Sequence, residues 1–423
     1  MKVLYLPAET GTGHNMRAFA MATKLRELVP DVEQHVYLGS KSPIFSPLFE
    51  SLGTRVHVAP VERDHANISQ LGTSFDWTTY VTGYLDRTFI SGDKMLNAVA
   101  LIGATVPDVV VSDYNIAASL AAEVSGVPHV LVTERYDFTL GQLENDTLVG
   151  AGFVVKNPAE VDMIRTALTT LFDWVTRRAR AVITDKPPID ELDRDTPVFR
   201  AMAAGHGHFL GPIVRDECSA APVPRSAVDE RFGLAGSEYI VAGFGGTTMF
   251  AENKQRLLDT YLSAFRRFRT THPRARLVVI GRQEFSEEVD GVVFLNYVTD
   301  WHSLIKHAKI VLSPPGWISV TELAVMNAPV AYALSGRNEY HELEAMRRLA
   351  LLGYRVVTEP DVSALLRILD EAFSAPDSFV RAAAMAAGAI APLGNGAKVA
   401  AELIARAAVE PDARRRADLL ECE

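Results

Sequence analysis

The sequence of 423 residues has few cysteines and no long hydrophobic run. Its two cysteines, Cys218 and Cys422, cannot form a disulfide framework, and so few thiols suit a reducing compartment. No uncharged apolar stretch reaches the roughly 18 residues that a membrane-spanning helix requires, and the apolar run Val3–Leu6 is too short for a signal peptide. We therefore expect a cytoplasmic protein, and peripheral membrane contact stays open.

The sequence also lacks an excess of positive charge. It has 42 Lys and Arg against 52 Asp and Glu, a formal net charge of -10, and its basic residues are spread along the chain. Because there is no basic stripe, we expect no nucleic acid partner. Hydrophobic residues make up 48% of the chain, which is enough for more than one core, and the length suggests roughly two or three domains.

Strands and helices alternate in the first half of the chain. Near-continuous apolar runs predict strands covered on both faces, and apolar residues at helical spacing predict helices between them. The predicted strands are Val3–Leu6, Val109–Ser112, Val130–Thr133 and Ala181–Thr184. The predicted helices are Asn15–Val29, Ile116–Ser125 and Val161–Arg180. This alternation predicts an α/β fold with a parallel, doubly wound sheet.

The alternation starts again in the second half, after a stretch with Pro, Ala and scattered charges. The strands predicted there are Tyr239–Ala242, Leu277–Ile280, Val292–Leu295, Ile310–Leu312 and Pro329–Ala333. We expect one domain at 1–213, a linker at 214–236, a second domain at 237–390, and a helical tail at 391–423 that could pack back on the first domain. Two such sheets would face each other across a cleft.

A glycine loop follows the first predicted strand and ends at a histidine. Ligands of open α/β sheets bind at the carboxyl ends of strands, and the glycines of Gly11-Thr12-Gly13-His14 would let the backbone approach a ligand closely. A neutral imidazole at His14 is suited to accept a proton from an incoming hydroxyl. The alternative is a tight turn between a strand and a helix with no further role.

Two carboxylates occupy similar positions after the next strands. Asp113 follows Val109–Ser112 and could orient His14 or act as the base itself. It could equally cap the backbone amides of the next helix. Glu134, after Val130–Thr133, has the same two roles open to it, although Arg135 could simply pair with it.

Two further loops in the second half each follow a strand and precede a helix. Gly243–Thr248 offers free amides and two hydroxyls, which would make an anion site. In Pro315–Glu322, the helix N-terminus could face a diphosphate while Glu322 accepts a hydrogen bond from a ribose hydroxyl. The alternative is a capping box, since Ser319 and Glu322 are three residues apart at a helix start.

Two weaker patterns stand outside these loops. Asp193-Arg194-Asp195 has the form of a metal-binding motif but lies in a charged, irregular stretch. Four aromatic residues lie in a segment of weak periodicity and are either core residues or the lining of an acceptor pocket. They are Phe75, Trp77, Tyr80 and Tyr84.

The order of these loops resembles a known family. ETGTGH, PDVVVSDYNIAASLAAEVSGVPHVLV, FGGTT, RLVVIGR, FLNYVTDWHSLIKHAKIVLSPPGWISVTELAVMNAPVAY and GRNEYHELEAMRRLALLGY follow one another as in GT-B glycosyltransferases. The sequence resembles the MurG-type N-acetylglucosaminyltransferases and the bacterial natural-product glycosyltransferases. The likeness covers nearly the whole chain and is strongest over residues 242–353. It implies the GT-B fold, two Rossmann-like domains that face each other across a cleft.

The resemblance also implies roles for residues of the second domain. It places Gly245, Gly246, Thr247 and Thr248 at the donor phosphates, and the backbone of Tyr297 and Val298 at the base. It places Gly316, Trp317, Ile318 and Ser319 at the diphosphate, Glu322 at the ribose, and His341 and Glu342 at the sugar. No metal and no other cofactor is expected, because amides and helix dipoles can stabilise the leaving diphosphate.

The expected function is therefore transfer of a sugar, with inversion, from a nucleotide sugar to an acceptor. UDP is the favoured donor nucleotide and dTDP the alternative, and the acceptor is a small molecule, a peptide or a lipid-linked compound. Such a reaction would belong to antibiotic or cell-envelope biosynthesis. A nucleotide-sugar 2-epimerase and a catalytically silent partner of another glycosyltransferase are the competing hypotheses, and a homodimer stays open.

Overall fold

In the computed structural model of the chain, the described residues are 1–9, 13–39, 42–59, 69–243, 250–281, 288–296, 298 and 300–410. Within these ranges, the chain forms two parallel sheets with helices between the strands. None of the helices described has both the length and the apolar character that a membrane crossing requires.

The first half builds a seven-stranded sheet in the order β3-β2-β1-β4-β5-β6-β7, in which all neighbouring strands are parallel. Its strands are β1 (Lys2–Pro7), β2 (Glu33–Leu38), β3 (Arg55–Val58), β4 (Val109–Asp113), β5 (His129–Val132), β6 (Ala181–Thr184) and β7 (Gly207–Phe209). Its α-helices are α1 (Gly13–Leu28), α2 (Ser46–Ser51), α3 (Ser69–Thr73), α4 (Asp86–Thr88), α5 (Gly92–Thr105), α6 (Ile116–Val124), α7 (Asn145–Gly150), α8 (Pro158–Arg178), α9 (Asp190–Asp193) and α10 (Pro197–Ala203). A π-helix spans Thr78–Leu85, and 3-10 turns span Pro43–Phe45 and Thr139–Gln142.

The second half builds a six-stranded parallel sheet in the order β10-β9-β8-β11-β12-β13. Its strands are β8 (Tyr239–Gly243), β9 (Arg276–Gly281), β10 (Val292–Asn296), β11 (Ile310–Ser313), β12 (Val330–Ala333) and β13 (Arg355–Val357). Its helices are α11 (Asp216–Ser219), α12 (Arg225–Phe232), α13 (Ala251–Arg269), α14 (Trp301–His307), α15 (Trp317–Val325), α16 (Tyr340–Leu351), α17 (Val362–Ser374), α18 (Pro376–Ile390) and α19 (Ala397–Val409).

The apolar strands are buried on both faces, and β1 shows how. Val3 and Tyr5 point into a cluster that includes residues of α1, whereas Leu4 and Leu6 point into a cluster on the opposite face of the sheet. All four side chains are fully buried. Alternate residues of a strand face opposite sides, so a strand covered by helices on both sides needs an unbroken apolar run.

The stretch expected as a linker, 214–236, is partly folded. It carries α11 and α12, and its residues Val228 and Leu234 pack in a core cluster of the second half.

The chain crosses between the two halves again after α18. Helix α18 packs against α15, and α19 then packs against α1 of the first half. The two crossings lie side by side, because the Asn395 side-chain amide donates to the Val214 carbonyl oxygen at 2.7 Å and the Gly396 amide donates to the Pro212 carbonyl oxygen at 2.6 Å.

Candidate active site

The centre of the site is a histidine paired with an aspartate. Strands β1 and β4 are neighbours whose register aligns Pro7 with Asp113, so Asp113 leaves the sheet beside the segment that leads to α1. His14 is the second residue of α1, and its Nδ1 lies 2.8 Å from Asp113 Oδ1. Because a carboxylate oxygen accepts, Nδ1 carries the proton and Nε2 is the basic nitrogen. The structure thus brings together two of the predicted residues.

Glu134 joins this pair from the next strand. It follows β5 at the same edge of the sheet, and its Oε2 lies 3.9 Å from His14 Nδ1. The side chains of His14, Asp113 and Glu134 are all largely buried.

Arg17 completes the cluster, although no sequence motif pointed to it. Its side chain is fully buried, with Nε 2.8 Å from Asp113 Oδ2 and Nη2 2.8 Å from Glu134 Oε2. Its Nη1 donates to Asp185 Oδ2 at 2.8 Å. Arg17 lies three residues after His14 and therefore on the same face of α1. The sequence signal that could have identified Arg17 is a charged residue next to the apolar positions of α1.

The charges in this cluster set its protonation. Burial by itself lowers the pKa of His14, but the carboxylates of Glu134 and Asp113 outweigh burial and raise that pKa above its ordinary value. Burial raises the pKa of Asp113, but Arg17 and His14 outweigh it and hold that pKa low. For Glu134, burial is likewise outweighed by His14 and Arg17, which lower its pKa. Both carboxylates are therefore ionised and poor bases.

The N-terminus of α15 approaches the same point from the second half. A Cβ placed on Gly13 would lie 2.4 Å from Ile318 Cγ1 and 2.9 Å from Ile318 Cβ, so only glycine fits at the start of α1. Trp317 Nε1 donates to the Asp185 carbonyl oxygen at 3.5 Å, which is at the limit of a hydrogen bond. The predicted diphosphate loop, including Gly316 and Ser319, thus lies next to the predicted base.

The capping-box alternative for Ser319 and Glu322 is wrong. Helix α15 begins at Trp317, and its N-cap is Gly316, which makes no side-chain cap hydrogen bond. The helix starts two residues before Ser319, so Ser319 does not occupy the N-cap. The Glu322 carboxylate is buried, and its Oε1 lies 3.5 Å from Arg215 Nη2. Burial raises the pKa of Glu322, and Arg215 opposes that rise only in part.

His341 and Glu342 lie in the first turn of α16. The His341 carbonyl oxygen is 3.5 Å from Arg135 Nη1, and burial together with Arg135 lowers the pKa of His341 to about 3. Glu342 accepts from the Ser335 amide at 3.2 Å, and burial followed by the charge of Glu339 raises its pKa to about 8. His341 is therefore neutral at neutral pH, and the ionised form of Glu342 is disfavoured.

No protein-family model and no curated protein matches the chain. Solved structures do match it over nearly its whole length. The glycotransferase of kitacinnamycin is 15% identical with a TM-score of 0.60, and the match covers 96% of this chain and 98% of that one. Spinosyn rhamnosyltransferase SpnG complexed with thymidine diphosphate is 15% identical with a TM-score of 0.59, over 95% and 100%. A putative UDP-N-acetylglucosamine 2-epimerase from Listeria monocytogenes is 12% identical with a TM-score of 0.56, over 95% and 94%.

These similarities, together with the two parallel sheets, decide the architecture. The chain has the GT-B fold. The predicted fold class is therefore confirmed, with α1 of the first half and α15 of the second meeting in the GT-B cleft.

Several predicted donor residues of the GT-B cleft lie outside the described residues. These are Gly245, Gly246, Thr247, Thr248 and Tyr297; Gly11 and Thr12 of the glycine loop in the first domain also lie outside the described residues. Val298 is described and is partly buried just after β10.

Asp193 of the first weaker pattern and three of the four aromatic residues of the second take part in buried contacts. Asp193 is fully buried, and its two carboxylate oxygens lie 2.6 and 2.8 Å from the guanidinium of Arg348. Its oxygens are thus engaged with an arginine rather than open to a metal. Phe75, Tyr80 and Tyr84 are buried and pack on Tyr340 of the second half.

Trp77 differs from the other three aromatic residues, because it borders a cavity of about 240 Å³ between the π-helix and α8. The lining is apolar apart from Asp86. It consists of Trp77, Val81, Leu85, Asp86, Ile90, Ile164, Ala167, Leu168 and Leu171.

His14, Asp113 and Glu134 are also spaced like metal ligands. One ligand atom from each lies within 4.8 Å of the others. In this cluster the guanidinium of Arg17 already donates to both carboxylates and supplies the positive charge that a metal would bring. A divalent ion at the same place would be repelled by Arg17.

Proposed function

We propose that this protein is an inverting glycosyltransferase that moves a sugar from a nucleoside diphosphate sugar to an acceptor hydroxyl. The observation that carries the proposal is the meeting of His14 and Asp113 with the N-terminus of α15 in one cleft. The first pair can take a proton from the acceptor, and a helix N-terminus can hold the leaving diphosphate.

The reaction is a single displacement. His14 Nε2 takes the acceptor hydroxyl proton as the acceptor oxygen bonds to the anomeric carbon, and the bond from that carbon to the diphosphate oxygen breaks. Attack opposite the leaving group inverts the anomeric centre. Asp113 accepts the Nδ1–H hydrogen bond and stabilises the imidazolium that forms. The negative charge of the leaving diphosphate faces the amides at the start of α15.

His14 is the base rather than Asp113 or Glu134. Both carboxylates are engaged by Arg17, which holds them ionised, and their pKa values lie below the ordinary range. A group that ionises so readily has little tendency to accept a proton at neutral pH.

The donor nucleotide is a uridine or thymidine diphosphate, bound without metal. A solved neighbour of this fold, SpnG, is complexed with thymidine diphosphate. A thermal-shift panel of uridine, thymidine, guanosine and adenosine diphosphates in excess chelator tests this proposal. A ligand at 100 times its dissociation constant stabilises the folded state by about 2.7 kcal/mol. We expect a rise in melting temperature with uridine or thymidine diphosphate. A rise that requires added magnesium, or none at all, would contradict the proposal.

The acceptor has an apolar part that enters the cavity beside Trp77. The Tyr114 ring stacks on His14 with centroids 6.4 Å apart, and the Phe89 ring lies 5.8 Å from Tyr114. Ile90, the next residue, lines the cavity. A row of aromatic rings thus leads from the base to an apolar pocket.

A 2-epimerase is the second candidate, because a putative enzyme of that kind shares the fold. Such an enzyme would act on the nucleotide sugar alone. Incubating the protein with UDP-N-acetylglucosamine and no acceptor separates the two candidates. Release of the 2-epimer would favour the epimerase, whereas a transferase leaves the donor intact or hydrolyses it slowly to the unchanged sugar.

A further inference from the structure

Arg17 joins three carboxylates that come from three different strands. Asp113 ends β4, Glu134 follows β5, and Asp185 directly follows β6. Arg17 donates a hydrogen bond from Nε to Asp113, from Nη2 to Glu134 and from Nη1 to Asp185. Arg17 and Asp185 are both fully buried, so this arrangement is shielded from solvent. A planar guanidinium has donors in fixed directions, and the position of any one carboxylate therefore constrains the other two.

Asp185 in turn is held by the second half of the molecule. Its carbonyl oxygen faces Trp317 Nε1 at 3.5 Å. The next residue, Lys186, has its Nζ 2.6 Å from Glu344 Oε2 and 4.6 Å from the centre of the Trp317 ring. Both Lys186 and Glu344 are buried. A buried ammonium requires a close partner, so Lys186 is stable in this position only while the second half lies against it.

Arg348 extends the same contact. Its Nη1 donates to the Pro187 carbonyl oxygen at 2.7 Å, and its Nη2 lies 2.6 Å from Asp193 Oδ1. Helix α16 therefore contacts both ends of the segment 186–193, through Glu344 at Lys186 and through Arg348 at Pro187 and Asp193.

We propose that Arg17 is a positioning residue that couples the His14–Asp113 pair to the contact between the two halves, through Asp185 and Lys186. When the halves meet, Lys186 and Trp317 fix Asp185, and Asp185 fixes Nη1 of Arg17. The remaining donors then hold Asp113 in line with His14 Nδ1. When the halves separate, Asp185 is released and Asp113 loses its fixed orientation. This inference rests on the proposed role of His14 and explains how the base is set only in the closed cleft.

Charged groups reach His14 from three of the elements around it. Asp113 and Glu134 do so from the ends of β4 and β5, and Arg17 does so from α1 itself. Tyr114 stacks on the ring, and α15 contributes the apolar Ile318 next to Gly13. Lys186 is hydrogen-bonded to Glu344 rather than to His14, so an effect of Lys186 on His14 would have to pass through Asp185 and Arg17.

The test is nitrogen NMR of the full chain labelled with 15N-histidine, in which the His14 signals are assigned by their loss in His14→Ala. The two ring nitrogens report directly which of them carries the proton. At a pH above the pKa of His14, where the ring is neutral, we expect the Nδ1–H tautomer in the wild type. In Asp185→Asn and in Lys186→Met we expect a mixture of both tautomers. Lys309→Met, which removes a partly exposed lysine from its pair with Glu238, is the matched control and should leave the His14 spectrum unchanged.

The Arg17→Lys variant distinguishes the effect of the positive charge at position 17 from the effect of the guanidinium geometry. It keeps the positive charge but cannot span three carboxylates, so it should also give mixed tautomers. In transfer assays, the same variants should lower kcat up to about 100-fold with little change in KM, as for a misplaced catalytic group. The NMR result does not require the donor or acceptor and therefore stays valid if the glycosyltransferase proposal fails.

Two results would overturn the coupling. One is an unchanged His14 tautomer in folded Lys186→Met and Asp185→Asn. The other is a change in the Lys309→Met control of the same size. If Lys186→Met does not fold, the double variant Lys186→Met with Glu344→Gln removes both buried charges together and answers the same question.

Discussion

At the scale of single residues, His14 decides whether the cleft is catalytic. His14→Ala should lower turnover by about 10²–10⁴-fold, the usual contribution of general-base catalysis. Donor binding should stay within error, because the proposed diphosphate contacts come from α15. The comparison is with Asp113→Asn and Glu134→Gln, in turnover and in melting temperature. A folded His14→Ala enzyme with near-normal turnover on its acceptor would remove His14 from the mechanism.

The charge of Glu134 should affect the pH dependence of kcat/KM. The base acts when unprotonated, and the raised pKa of His14 means that kcat/KM falls as the pH drops through a value above 6.5. Glu134→Gln removes a charge that raises this pKa, so the acidic limb of the pH profile should move to lower pH. The measurement is kcat/KM against pH for the two proteins. A limb that stays in place, or moves to higher pH, contradicts the assignment.

The same raised pKa has a consequence for stability. A histidine whose folded pKa exceeds its unfolded value near 6.5 stabilises the folded state fully below that value. This contribution is lost as the pH rises through the folded pKa. The contributions of Asp113 and Glu134 to stability have the opposite pH dependence. Because their pKa values are lowered, these contributions are present at neutral pH and are lost only on strong acidification.

The residue scale also shows where sequence reasoning stops. His14, Asp113 and Glu134 could be selected because each follows a predicted strand at the edge where ligands bind. Arg17 could not be assigned, because its partners Asp113, Glu134 and Asp185 lie 96 to 168 positions away in the chain. The spacing of a helix reveals which face a residue is on, but not which distant carboxylates meet that face.

At the scale of secondary-structure elements, α1 and α15 form one of the contacts between the halves. Gly13→Ala should push these helices apart, because the new methyl group would overlap Ile318. We expect a lower melting temperature and weaker nucleoside diphosphate binding.

The matched control for Gly13→Ala is Gly103→Ala inside α5, where a Cβ meets nothing within 4 Å and alanine favours the helix. Adding Ile318→Ala to Gly13→Ala should restore part of the loss. If Gly13→Ala behaves like Gly103→Ala, α1 and α15 are not in close contact at Gly13.

Most of the strands that the sequence predicted are buried on both faces, although β10, an edge strand that is only partly buried, was also predicted. Strands β1, β4, β5 and β6 each contain a short apolar run, and the sequence predicts all four. The strands that were not expected are β2, β3, β7 and β13. Three of them form sheet edges, and β3 (RVHV) is half exposed and mixes charged with apolar residues. Such strands are held by pairing with a neighbour, which a local pattern does not reveal.

The π-helix at Thr78–Leu85 explains the weak periodicity around Trp77. Its hydrogen bonds run from each residue to the fifth one along, so side chains do not repeat at the spacing of an α-helix. Tyr80 and Tyr84 nevertheless meet Tyr340 of the second half, which puts this element at the contact between the domains.

At the scale of the whole molecule, helix α19 belongs to the first domain in space although it follows the second in sequence. Ile404 is fully buried in the same cluster as Val3 and Ala18. Ile404→Ala should lower the free energy of unfolding by about 2–5 kcal/mol, as for other buried large-to-small changes.

Val399 is the matched control on the same helix, since it is 44% exposed. Val399→Ala should change the free energy of unfolding by less than about 0.5 kcal/mol. Urea unfolding followed by circular dichroism measures both variants. Equal effects of the two substitutions would mean that α19 is not part of the folded first domain.

This placement of α19 also determines when the core of the first domain can be completed during synthesis. The helix that covers α1 leaves the ribosome roughly 200 residues after β7, which is some 10–40 s at ordinary elongation rates. During that interval, Ala18, Met21 and Leu25 of α1 lack their final covering, while the whole second domain is being made. The nascent chain therefore carries an open apolar surface on its first domain until α19 emerges.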